Sequence, residues 1–589
     1  MTNSDRARGG RRDFLRATAT LAGAGALGVP AAMASDGGAP GTTYDSEVDV
    51  LVIGSGAAGC TAAVTAAAGG ARVMLVDKAV APGGTTRMAS GVAWIPNNPW
   101  LRASGKSDPE RDCLRYMVRY AYPECFRDDH PTFGLDPARY ALLEAFYRNG
   151  YRAVEQLEAL GATRMTLFEL PGGVGPSPDY AAHLPENRTP RGRSVWPRSD
   201  APHGGRGAGL VDGMVAWLRE RGAQVHMEHA LSELLLEEGR VQGARLSTPA
   251  GERRIRARLG VIAATGGFAH APELLERYQR MAYGTCAPPG GTGDFLVAAT
   301  AAGAMPGDMQ TAWRTQVVLE EALQQRRVGG PVHIPPGDSM IIVNKHGVRV
   351  ANEKRNYNDR SRVHQVWDPV AVEYPNQFLF LVMDQRTVET YAGNPPLPIE
   401  PGDSPHLVRA PSPEALAGAL QARLDSLRAQ YGIAFSLGDD FSAALEATLE
   451  RFNGFARRGV DEDFQRGGHV SEVDWQAHFS RRHRQPDAPL ATMPNPTMYP
   501  IDTTGPLYAV ILAPGILDTS AGPMIDASAR VLDAAGAPIP GLYGAGNCVA
   551  SPTREAYFGA GGTIGPAIAF GHIAGNAVLA DHKISATEY

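Results

Sequence analysis

Near the start of the chain, apolar runs alternate with short glycine turns. Residues 48–53 read Val-Asp-Val-Leu-Val-Ile, a pattern typical of a buried strand in a parallel sheet. The turn 54–59 reads Gly-Ser-Gly-Ala-Ala-Gly and leads into the small residues of Cys60–Ala68, which predict a closely packed helix. A second apolar run, 71–76, ends at Asp77. The order of strand, glycine turn, helix, strand and acid predicts a dinucleotide-binding βαβ unit.

Each residue type in this unit has a physical reason. Gly54 permits the tight turn, Gly56 lets the backbone approach a pyrophosphate, and Gly59 lets the helix pack close to the sheet. The free N–H groups and the positive dipole end of the helix favour phosphate, and Asp77 is placed to accept ribose hydroxyls. The alternative is a purely structural glycine turn. The predicted contacts from this unit are Gly54, Ser55, Gly56, Ala57, Ala58, Gly59, Asp77 and Lys78.

The first residues predict an export signal rather than a folded element. Residues 11–16 read Arg-Arg-Asp-Phe-Leu-Arg, an Ala- and Gly-rich stretch follows, and Ala32-Met33-Ala34 gives a cleavage site. We therefore predict a twin-arginine signal peptide over 1–34, a linker over 35–46, and a periplasmic or extracellular location. No later run of about 20 apolar residues occurs, so no membrane span is expected.

Composition excludes several classes of function. The net charge of −6 gives no reason to expect nucleic acid as a partner. The five cysteines form no C-x-x-C pair and their number is odd, so neither a metal site nor a disulfide framework is predicted. Apolar residues make up 43% of the chain, which is ordinary for a globular protein.

Further sequence blocks indicate that the dinucleotide is FAD. After Asp77, the segment 82–86 reads Pro-Gly-Gly-Thr-Thr, and the blocks 264–268, 291–294 and 541–547 follow in order. With these blocks the chain resembles the fumarate reductase/succinate dehydrogenase flavoprotein superfamily over about 47–580. Members with covalent flavin carry a His just before the first glycine; here Pro82 stands there, so we expect non-covalent FAD. The resemblance adds as FAD contacts Gly83, Gly84, Thr85, Thr86, Ser90, Gly91, Ala230, Thr265, Gly266, Gly267, Gly293, Asp294, Gly546, Asn547, Thr563 and Ile564.

The same resemblance implies an α/β fold with two domains. A Rossmann-like FAD-binding domain of the glutathione-reductase type would comprise residues 47–310 and, as its C-terminal return, 506–589. An inserted α+β substrate-capping domain would occupy 311–505.

Three places in the chain distinguish the subfamilies. Residues 349–353 share the Arg-x-x-Asn-Glu frame of fumarate reductases, but Tyr357 stands where those enzymes carry a catalytic acid Arg. Arg355 and Arg360 are near enough that a shifted alignment remains an alternative. The block 557–567, Tyr-Phe-Gly-Ala-Gly-Gly-Thr-Ile-Gly-Pro-Ala, and the segment Trp-Ile-Pro-Asn-Asn at 94–98 resemble 3-ketosteroid 1-dehydrogenases. That family also has a tyrosine-bearing segment before a Gly-Arg-Ser, which points to Tyr180.

The resemblance implies an FAD-dependent oxidoreductase that acts on CH–CH groups. An apolar, steroid-like ketone would have its carbonyl polarised by the Tyr557 hydroxyl and the Gly561 N–H, while Tyr357 takes the adjacent proton. Free tyrosine has a pKa of about 10. A base role therefore requires a lowered pKa, for which a hydrogen bond to Tyr180 is one route. Hydride would go to FAD N5, and an external quinone or another acceptor would reoxidise the flavin.

Several alternatives stay open. Each tyrosine is also compatible with simple packing beside a glycine turn, and Trp94 and Trp313 fit either a substrate channel or the core. The rival function is a periplasmic ene-reductase of the fumarate or urocanate type, which the export signal favours. A non-catalytic flavin-binding protein is a further class. If the substrate is a ketone, the sequence leaves open which ketone it is and whether the 1,2- or the 4,5-bond is desaturated. It also leaves open the electron acceptor and the oligomeric state.

Overall fold

A computed structural model describes residues 43–170, 174–400, 404–480 and 493–585. The predicted signal peptide 1–34 and most of the predicted linker 35–46 lie outside these ranges, so export stays a prediction. Within the described ranges, no helix is both long and apolar enough to cross a membrane.

The strands are numbered β1–β17 in chain order. They are β1 Ser46–Ile53, β2 Val73–Val76, β3 Ala93–Trp94, β4 Met165–Leu167, β5 Ser194–Pro197, β6 Gln224–His226, β7 Ala230–Glu237, β8 Arg240–Thr248, β9 Gly251–Ala263, β10 Gly284–Thr285, β11 Ala312–Val318, β12 Met340–Val343, β13 Leu379–Asp384, β14 Val408–Ala410, β15 Leu507–Thr519, β16 Arg530–Leu532 and β17 Pro538–Gly544.

The helices connect and cover these strands. They span Ala57–Ala68, Gly84–Met88, Pro99–Ala103, Glu110–Ala121, Pro137–Ala159, Arg206–Glu220, Pro272–Tyr278, Asp294–Ala301, Leu319–Gln324, Tyr357–Arg360, Gln385–Thr390, Pro413–Tyr431, Phe441–Arg458, Val470–Ser480 and Ile564–Ser585, with 3-10 turns at Ser361–Gln365 and Gly546–Cys548.

The first sheet has the predicted dinucleotide-binding architecture. Its order is β16-β17-β9-β1-β2-β6, and β1 pairs in parallel with both β2 and β9. The pair β7–β8 adds an antiparallel ribbon through β8 to β9. Val50, Leu51 and Val52 have no exposed surface, because helices cover both faces of a parallel sheet. The α/β prediction is confirmed.

The C-terminal helix Ile564–Ser585 returns onto the first helix at backbone distance. A Cβ added at Gly571 would lie 2.4 Å from the Ala58 carbonyl oxygen, and one at Gly575 would lie 2.8 Å from that of Ala62. Only glycine permits this approach, and the first helix contributes Ala and Gly in return. The contact places the start of the last helix next to the glycine turn that precedes Ala57.

The second sheet draws most of its strands from the middle of the chain, although β10 at Gly284–Thr285 lies before the predicted insertion 311–505 and β15 after it. Its order is β10-β15-β13-β12, and β11 and β14 also pair with β15. β15 spans Leu507–Thr519, so the division between the sheets differs from the predicted boundary at 506. The chain rejoins the first sheet only at β16 and β17. The apolar run of β15 fits any buried strand, so the sequence does not reveal which sheet it enters.

Candidate active site

The glycine turn after β1 is held by close backbone contacts. Gly54 has φ +106°, and an added Cβ would lie 2.2 Å from the Ala264 carbonyl oxygen. A Cβ at Gly59 would lie 1.8 Å from the Gly54 carbonyl oxygen. The helix Ala57–Ala68 has no side-chain cap from Gly56, but its Ala57 N–H donates to Thr86 Oγ1 at 3.0 Å, which joins the N-terminal end of the helix to the segment 82–86.

Asp77 lies at the end of β2, beside this turn. Its Oδ2 accepts hydrogen bonds from the Ser55 N–H at 2.8 Å and the Ser55 hydroxyl at 2.6 Å, and its Oδ1 accepts from the Ala79 N–H at 2.9 Å. These bonds fix the carboxylate on the wall of a cleft, where the sequence predicts that it meets ribose hydroxyls.

The glycine turn, β2 and the C-terminal blocks surround one cleft of about 320 Å³. A long cleft between a helix N-terminus and an acidic strand end suits a dinucleotide, and the close glycine contacts keep side chains out of it. The residues present therefore fit FAD. Predicted contacts on the wall are Gly54, Gly56, Ala57, Ala58, Asp77, Lys78, Gly84, Thr85, Thr86, Thr265, Gly266, Gly267, Asp294, Gly546, Asn547, Thr563 and Ile564.

Seven predicted contacts do not line the cleft: Ser55, Gly59, Gly83, Ser90, Gly91, Ala230 and Gly293. Several of them instead hold the backbone around the cleft in place. The Gly83 N–H donates to the Ser55 hydroxyl at 2.9 Å, and Gly293, with φ +75°, precedes the helix that begins at Asp294. Ser90 is exposed.

We predict that Gly59→Ala abolishes stable FAD binding. The added methyl group would overlap the Gly54 carbonyl oxygen, so the helix must move away from the turn that faces the pyrophosphate. The purified variant should have at least about tenfold less flavin absorbance per protein, since a displacement of this size removes contacts worth well over 1.4 kcal/mol. Absorbance at the flavin maximum after gel filtration measures it.

Gly418→Ala is the matched control. Gly418 lies in the helix Pro413–Tyr431, and a Cβ added there meets no atom within 4 Å. This variant should keep its flavin and gain up to about 1 kcal/mol of stability. Stoichiometric flavin in Gly59→Ala would contradict the packing role assigned to Gly59.

The cleft also contains residues that the sequence analysis missed. Asp518, near the end of β15, lies on its wall. Its carboxylate accepts hydrogen bonds from Asn547 Nδ2 at 3.1 Å and the Gly267 N–H at 3.3 Å, and burial raises its pKa to about 6. The other missed wall residues are Ile53, Ala79, Val80, Ala81, Pro82, Arg87, Met88, Ala89, His229, Leu231, Ala264, Pro288, Gly290, Gly291 and Ala567.

The three predicted tyrosines meet in one buried cluster with Trp313. The Tyr557 ring lies 5.8 Å from that of Tyr180, nearly parallel to it, and 5.2 Å from that of Tyr357 at a steep angle. The rings of Tyr180 and Tyr357 are 6.0 Å apart. The phenols and Thr563 lie near enough to shift one another's pKa, although no hydrogen bond of ordinary geometry joins their hydroxyls within the described ranges. The three tyrosines therefore form one packed cluster.

Different elements hold each phenol. The Tyr180 N–H donates to the Phe558 carbonyl at 2.8 Å, so the segments that carry Tyr180 and Tyr557 are joined. Tyr357 begins the short helix Tyr357–Arg360, whose cap is the Asn356 side chain. The Tyr120 hydroxyl donates to the Tyr557 carbonyl at 3.2 Å.

The pKa values in this cluster differ from the expectation. Burial raises the pKa of Tyr180, of Tyr557 and, most strongly, of Tyr357. For Tyr357 the neighbouring phenols raise the pKa further, because a phenolate there would sit beside Tyr180 and Tyr557. The expected lowering of the pKa of Tyr357 by Tyr180 is therefore wrong; Tyr357 instead partly offsets the effect of burial on the pKa of Tyr180.

Gly561 presents its backbone beside Tyr557. It has φ +89°, and a Cβ there would lie 2.5 Å from the Val92 carbonyl oxygen. A Cβ at the next residue, Gly562, would meet the Tyr557 ring at 3.0 Å. The Gly561 N–H makes no hydrogen bond to another residue within the described ranges. A backbone donor and a phenol thus lie on the same side of the cluster.

The cluster is joined to the cleft at Asn547, which lines the cleft and whose Oδ1 accepts from the Trp313 indole N–H at 3.0 Å. Thr563 also lines the cleft and lies near enough to Tyr557 to affect its pKa. The Trp313 ring is perpendicular to that of Tyr557 at 5.5 Å. Trp94, by contrast, is fully buried in the core, where its N–H donates to Asp179 Oδ1 at 2.7 Å.

The arginines nearest to Tyr357 are engaged elsewhere. Arg360 is buried and donates to Gln316 Oε1 at 2.9 Å and to backbone carbonyls, including those of Val332 at 2.8 Å and Arg355 at 2.7 Å. Arg355 pairs with Glu472 at 3.5 Å. Because Tyr357 itself lies against Tyr557, the structure gives no support for the shifted alignment.

Two further residues beside the tyrosines have no signal in the sequence. Trp475, on the helix Val470–Ser480, lies 6.4 Å from the Tyr180 ring. The exposed His333 lies 4.7 Å from the Tyr357 ring. Neither belongs to a motif: His333 precedes the 349–353 frame by 16 residues and Trp475 precedes Tyr557 by 82, so tertiary packing brings both beside the tyrosines. Within the described ranges, no group of three acidic, His or Cys side chains is arranged to hold a metal ion.

Known proteins resemble this chain over nearly its whole length. The family model described as FAD binding domain matches residues 49–564. The 4-oxocyclohexanecarboxylate 2-dehydrogenase of Sinomonas cyclohexanicum is 32% identical, with 92% of this chain and 94% of that protein covered. The 3-oxosteroid 1-dehydrogenase of Mycolicibacterium smegmatis is also 32% identical, with 90% and 96% covered.

A solved structure agrees with these relatives. The 3-ketosteroid Δ1-dehydrogenase of Sterolibacterium denitrificans, in complex with 1,4-androstadiene-3,17-dione, superimposes with a TM-score of 0.72 at 25% identity, covering 91% of this chain and all of that one. The chain therefore belongs to the family described as FAD binding domain, and it is an FAD-dependent oxidoreductase acting on CH–CH groups.

Proposed function

We propose that the protein desaturates a cyclic ketone at the carbon–carbon bond next to its carbonyl. The cluster of Tyr180, Tyr357 and Tyr557, which Trp313 joins to the FAD cleft through Asn547, carries this proposal. Neutral phenols suit the carbonyl end of a ring ketone, whereas a buried, unpaired cation would be costly beside it. The names of the relatives support the same class, since they denote dehydrogenases of 4-oxocyclohexanecarboxylate, a ring ketone that also carries a carboxylate, and of 3-oxosteroids.

The carbonyl would lie between the Tyr557 hydroxyl and the Gly561 N–H. Both are neutral donors in a dry site, where hydrogen bonds to a developing enolate are strong. The rings of Tyr180, Tyr357 and Trp313 hold the Tyr557 ring in place, and Thr563 and Tyr357 lie near its hydroxyl. The enolate is therefore stabilised without rearrangement of the site.

Tyr357 would take the proton from the carbon next to the carbonyl. Its raised pKa means that the phenol is protonated at neutral pH, so Tyr357 would act from the small fraction that has already released its proton to solvent. This phenolate would accept the substrate's proton, and the electron pair of the broken C–H bond would become the enolate beside Tyr557 and the Gly561 N–H.

When bound in the cleft, FAD would supply the two-electron acceptor for the substrate's hydride. Asn547 and Thr563, on the part of the wall nearest the tyrosines, would help to hold it. An external quinone or another acceptor would then reoxidise the flavin.

One comparison of substrates tests the proposal. Purified FAD-loaded protein is assayed with androst-4-ene-3,17-dione and with 4-oxocyclohexanecarboxylate, each with a dye acceptor, beside fumarate with reduced viologen. We expect turnover of at least one ketone and none of fumarate, because Tyr357 and Tyr557 offer no cation for a second carboxylate. Reduction of fumarate alone would overturn the proposal in favour of the ene-reductase.

A further inference from the structure

Nine residues after Tyr357, the chain forms an exposed apolar hairpin. The hairpin, residues 366–374, reads Val-Trp-Asp-Pro-Val-Ala-Val-Glu-Tyr and is closed by paired backbone hydrogen bonds between Asp368 and Glu373. Val370 is 91% exposed and Val372 is 69% exposed, and the side chains of Val366, Trp367 and Tyr374 are exposed as well. Other exposed large apolar side chains in the described ranges are scattered, so this is a concentrated apolar surface.

The composition of the hairpin tip, residues 369–372, favours an apolar environment over water. Four consecutive residues, 369–372, are Pro, Val, Ala and Val. The N–H groups of Val370 and Ala371 donate to Asp368 Oδ1 at 2.7 and 3.0 Å, and Pro369 has no N–H. Two of the three backbone donors of the tip, those of Val370 and Ala371, are therefore satisfied within the hairpin, which lowers the cost of placing it in an apolar medium.

Val372 adds an independent sign of function. It has φ +58°, a left-handed conformation that Gly or Asn adopts far more readily than a β-branched residue. A glycine there would relieve the strain and remove the apolar side chain. The chain instead keeps a strained valine at an exposed position, where it makes no core contact.

Two aromatic residues stand at the base of the tip. The rings of Trp367 and Tyr374 are 4.8 Å apart, on the two opposite arms of the hairpin. Aromatic rings below an apolar segment are the arrangement found where proteins meet the headgroup region of a bilayer. We propose that this hairpin inserts into the surface of a lipid bilayer and docks the protein there.

Charge and size favour lipid over other occupants. The hairpin contains two acidic residues and no Lys or Arg, so it offers no cation for anionic lipid. Glu373 is paired with Lys345 at 2.6 Å, and Asp368 accepts hydrogen bonds from the backbone of the turn. Attachment would therefore depend on apolar insertion. A second copy of the chain is a poorer occupant, because a stable interface takes about 20–30 residues a side, whereas this surface has nine.

Docking here would bring the active site close to the lipid. From Tyr357 to Val366 the chain runs through the helix Tyr357–Arg360 and the 3-10 turn Ser361–Gln365. At a rise of about 1.5–2.0 Å per residue, the two residues are within about 18 Å of each other. An apolar substrate or acceptor dissolved in the bilayer would be concentrated near the site.

Binding to phosphatidylcholine vesicles tests the proposal. FAD-loaded wild-type protein should float with these vesicles, and partitioning should change less than about twofold between about 50 and about 500 mM salt, because no ion pair drives it. Addition of phosphatidylglycerol should not increase it. Val370→Ser/Val372→Ser should lower the partition coefficient at least about tenfold, since burial of one Val is worth a factor of ten or more.

The matched control is Val297→Ser/Val460→Ser, two exposed valines outside the hairpin. It should bind vesicles like the wild type. Activity of Val370→Ser/Val372→Ser with a dye acceptor, equal to wild type, shows that the variant is folded. Brominated lipid should quench the emission of Trp367, measured as the difference between wild type and Trp367→Phe.

Two results would overturn the proposal. One is equal vesicle binding by wild type and Val370→Ser/Val372→Ser, or no binding by either. The other is a dimer of the wild-type protein in gel filtration that the same variant loses, without vesicle binding, which assigns the surface to a second copy of the chain.

Discussion

Replacing Tyr557 by Phe should lower kcat by about 10²–10³-fold, the usual cost of losing one donor to a developing oxyanion. The hydroxyl that polarises the substrate carbonyl is removed, while the ring keeps its contacts with Tyr180, Tyr357 and Trp313. FAD should stay bound, since the Tyr557 side chain is not part of the cleft wall. Steady-state turnover of a ring ketone at saturation and the flavin absorbance of the same sample measure both effects.

Tyr116→Phe is the control for local damage. Its hydroxyl donates to the Phe558 carbonyl at 3.2 Å, so this variant disturbs the segment that carries Tyr557 without entering the tyrosine cluster. It should lose about 1 kcal/mol of stability and keep its kcat. A Tyr557→Phe enzyme that works at the wild-type rate would remove Tyr557 from the chemistry, and an equal loss in Tyr116→Phe would make its role structural.

The parts of the site that could be predicted from sequence are those encoded by local geometry. The glycine turn needs Gly54 and Gly59 because backbone atoms lie where a Cβ would stand, and that demand is visible as a motif. Tyr180, Tyr357 and Tyr557 were found from the segments around them. Their meeting in one cluster is tertiary, since each pair is more than 170 residues apart in the chain.

Other parts depend on packing that no short segment specifies. Asp518 ends a strand of the second sheet but faces the FAD cleft, because β15 runs between the two regions. Trp475 lies on a helix whose sequence pattern is that of an ordinary surface helix, yet it packs against Tyr180. The pKa of Tyr357 could not be predicted either, because it depends on burial and on two phenols from distant segments.

The exposed hairpin 366–374 is a further feature that could not be predicted from the sequence. Its tip, Pro-Val-Ala-Val at 369–372, is a short apolar run that fits a buried strand, and the printed sequence gives no sign that these side chains face water. Exposure of Val370 and the left-handed Val372 are properties of the folded turn. They become informative only when burial and backbone angles are known.

Replacing Tyr357 by Phe should lower kcat by about 10²–10⁴-fold, the range that one general base contributes. The pH profile makes this prediction specific. A base accepts a proton only in its deprotonated form. Burial beside Tyr180 and Tyr557 places the pKa of Tyr357 well above the usual value of a phenol. In the wild type, kcat/KM should therefore rise with pH and show no plateau below about pH 10.

The residual activity of Tyr357→Phe should not show this rise, because no titrating base is left on the substrate's path. Tyr180→Phe should keep the rise at a lower rate, since Tyr357 remains but the Tyr180 hydroxyl beside it is gone. Tyr283→Phe, which removes a hydroxyl bonded to Gln377 outside the site, should match the wild type at every pH. A wild-type plateau near pH 7 would mean that a group with a much lower pKa takes the proton, and Tyr357 would then serve only to orient Tyr557.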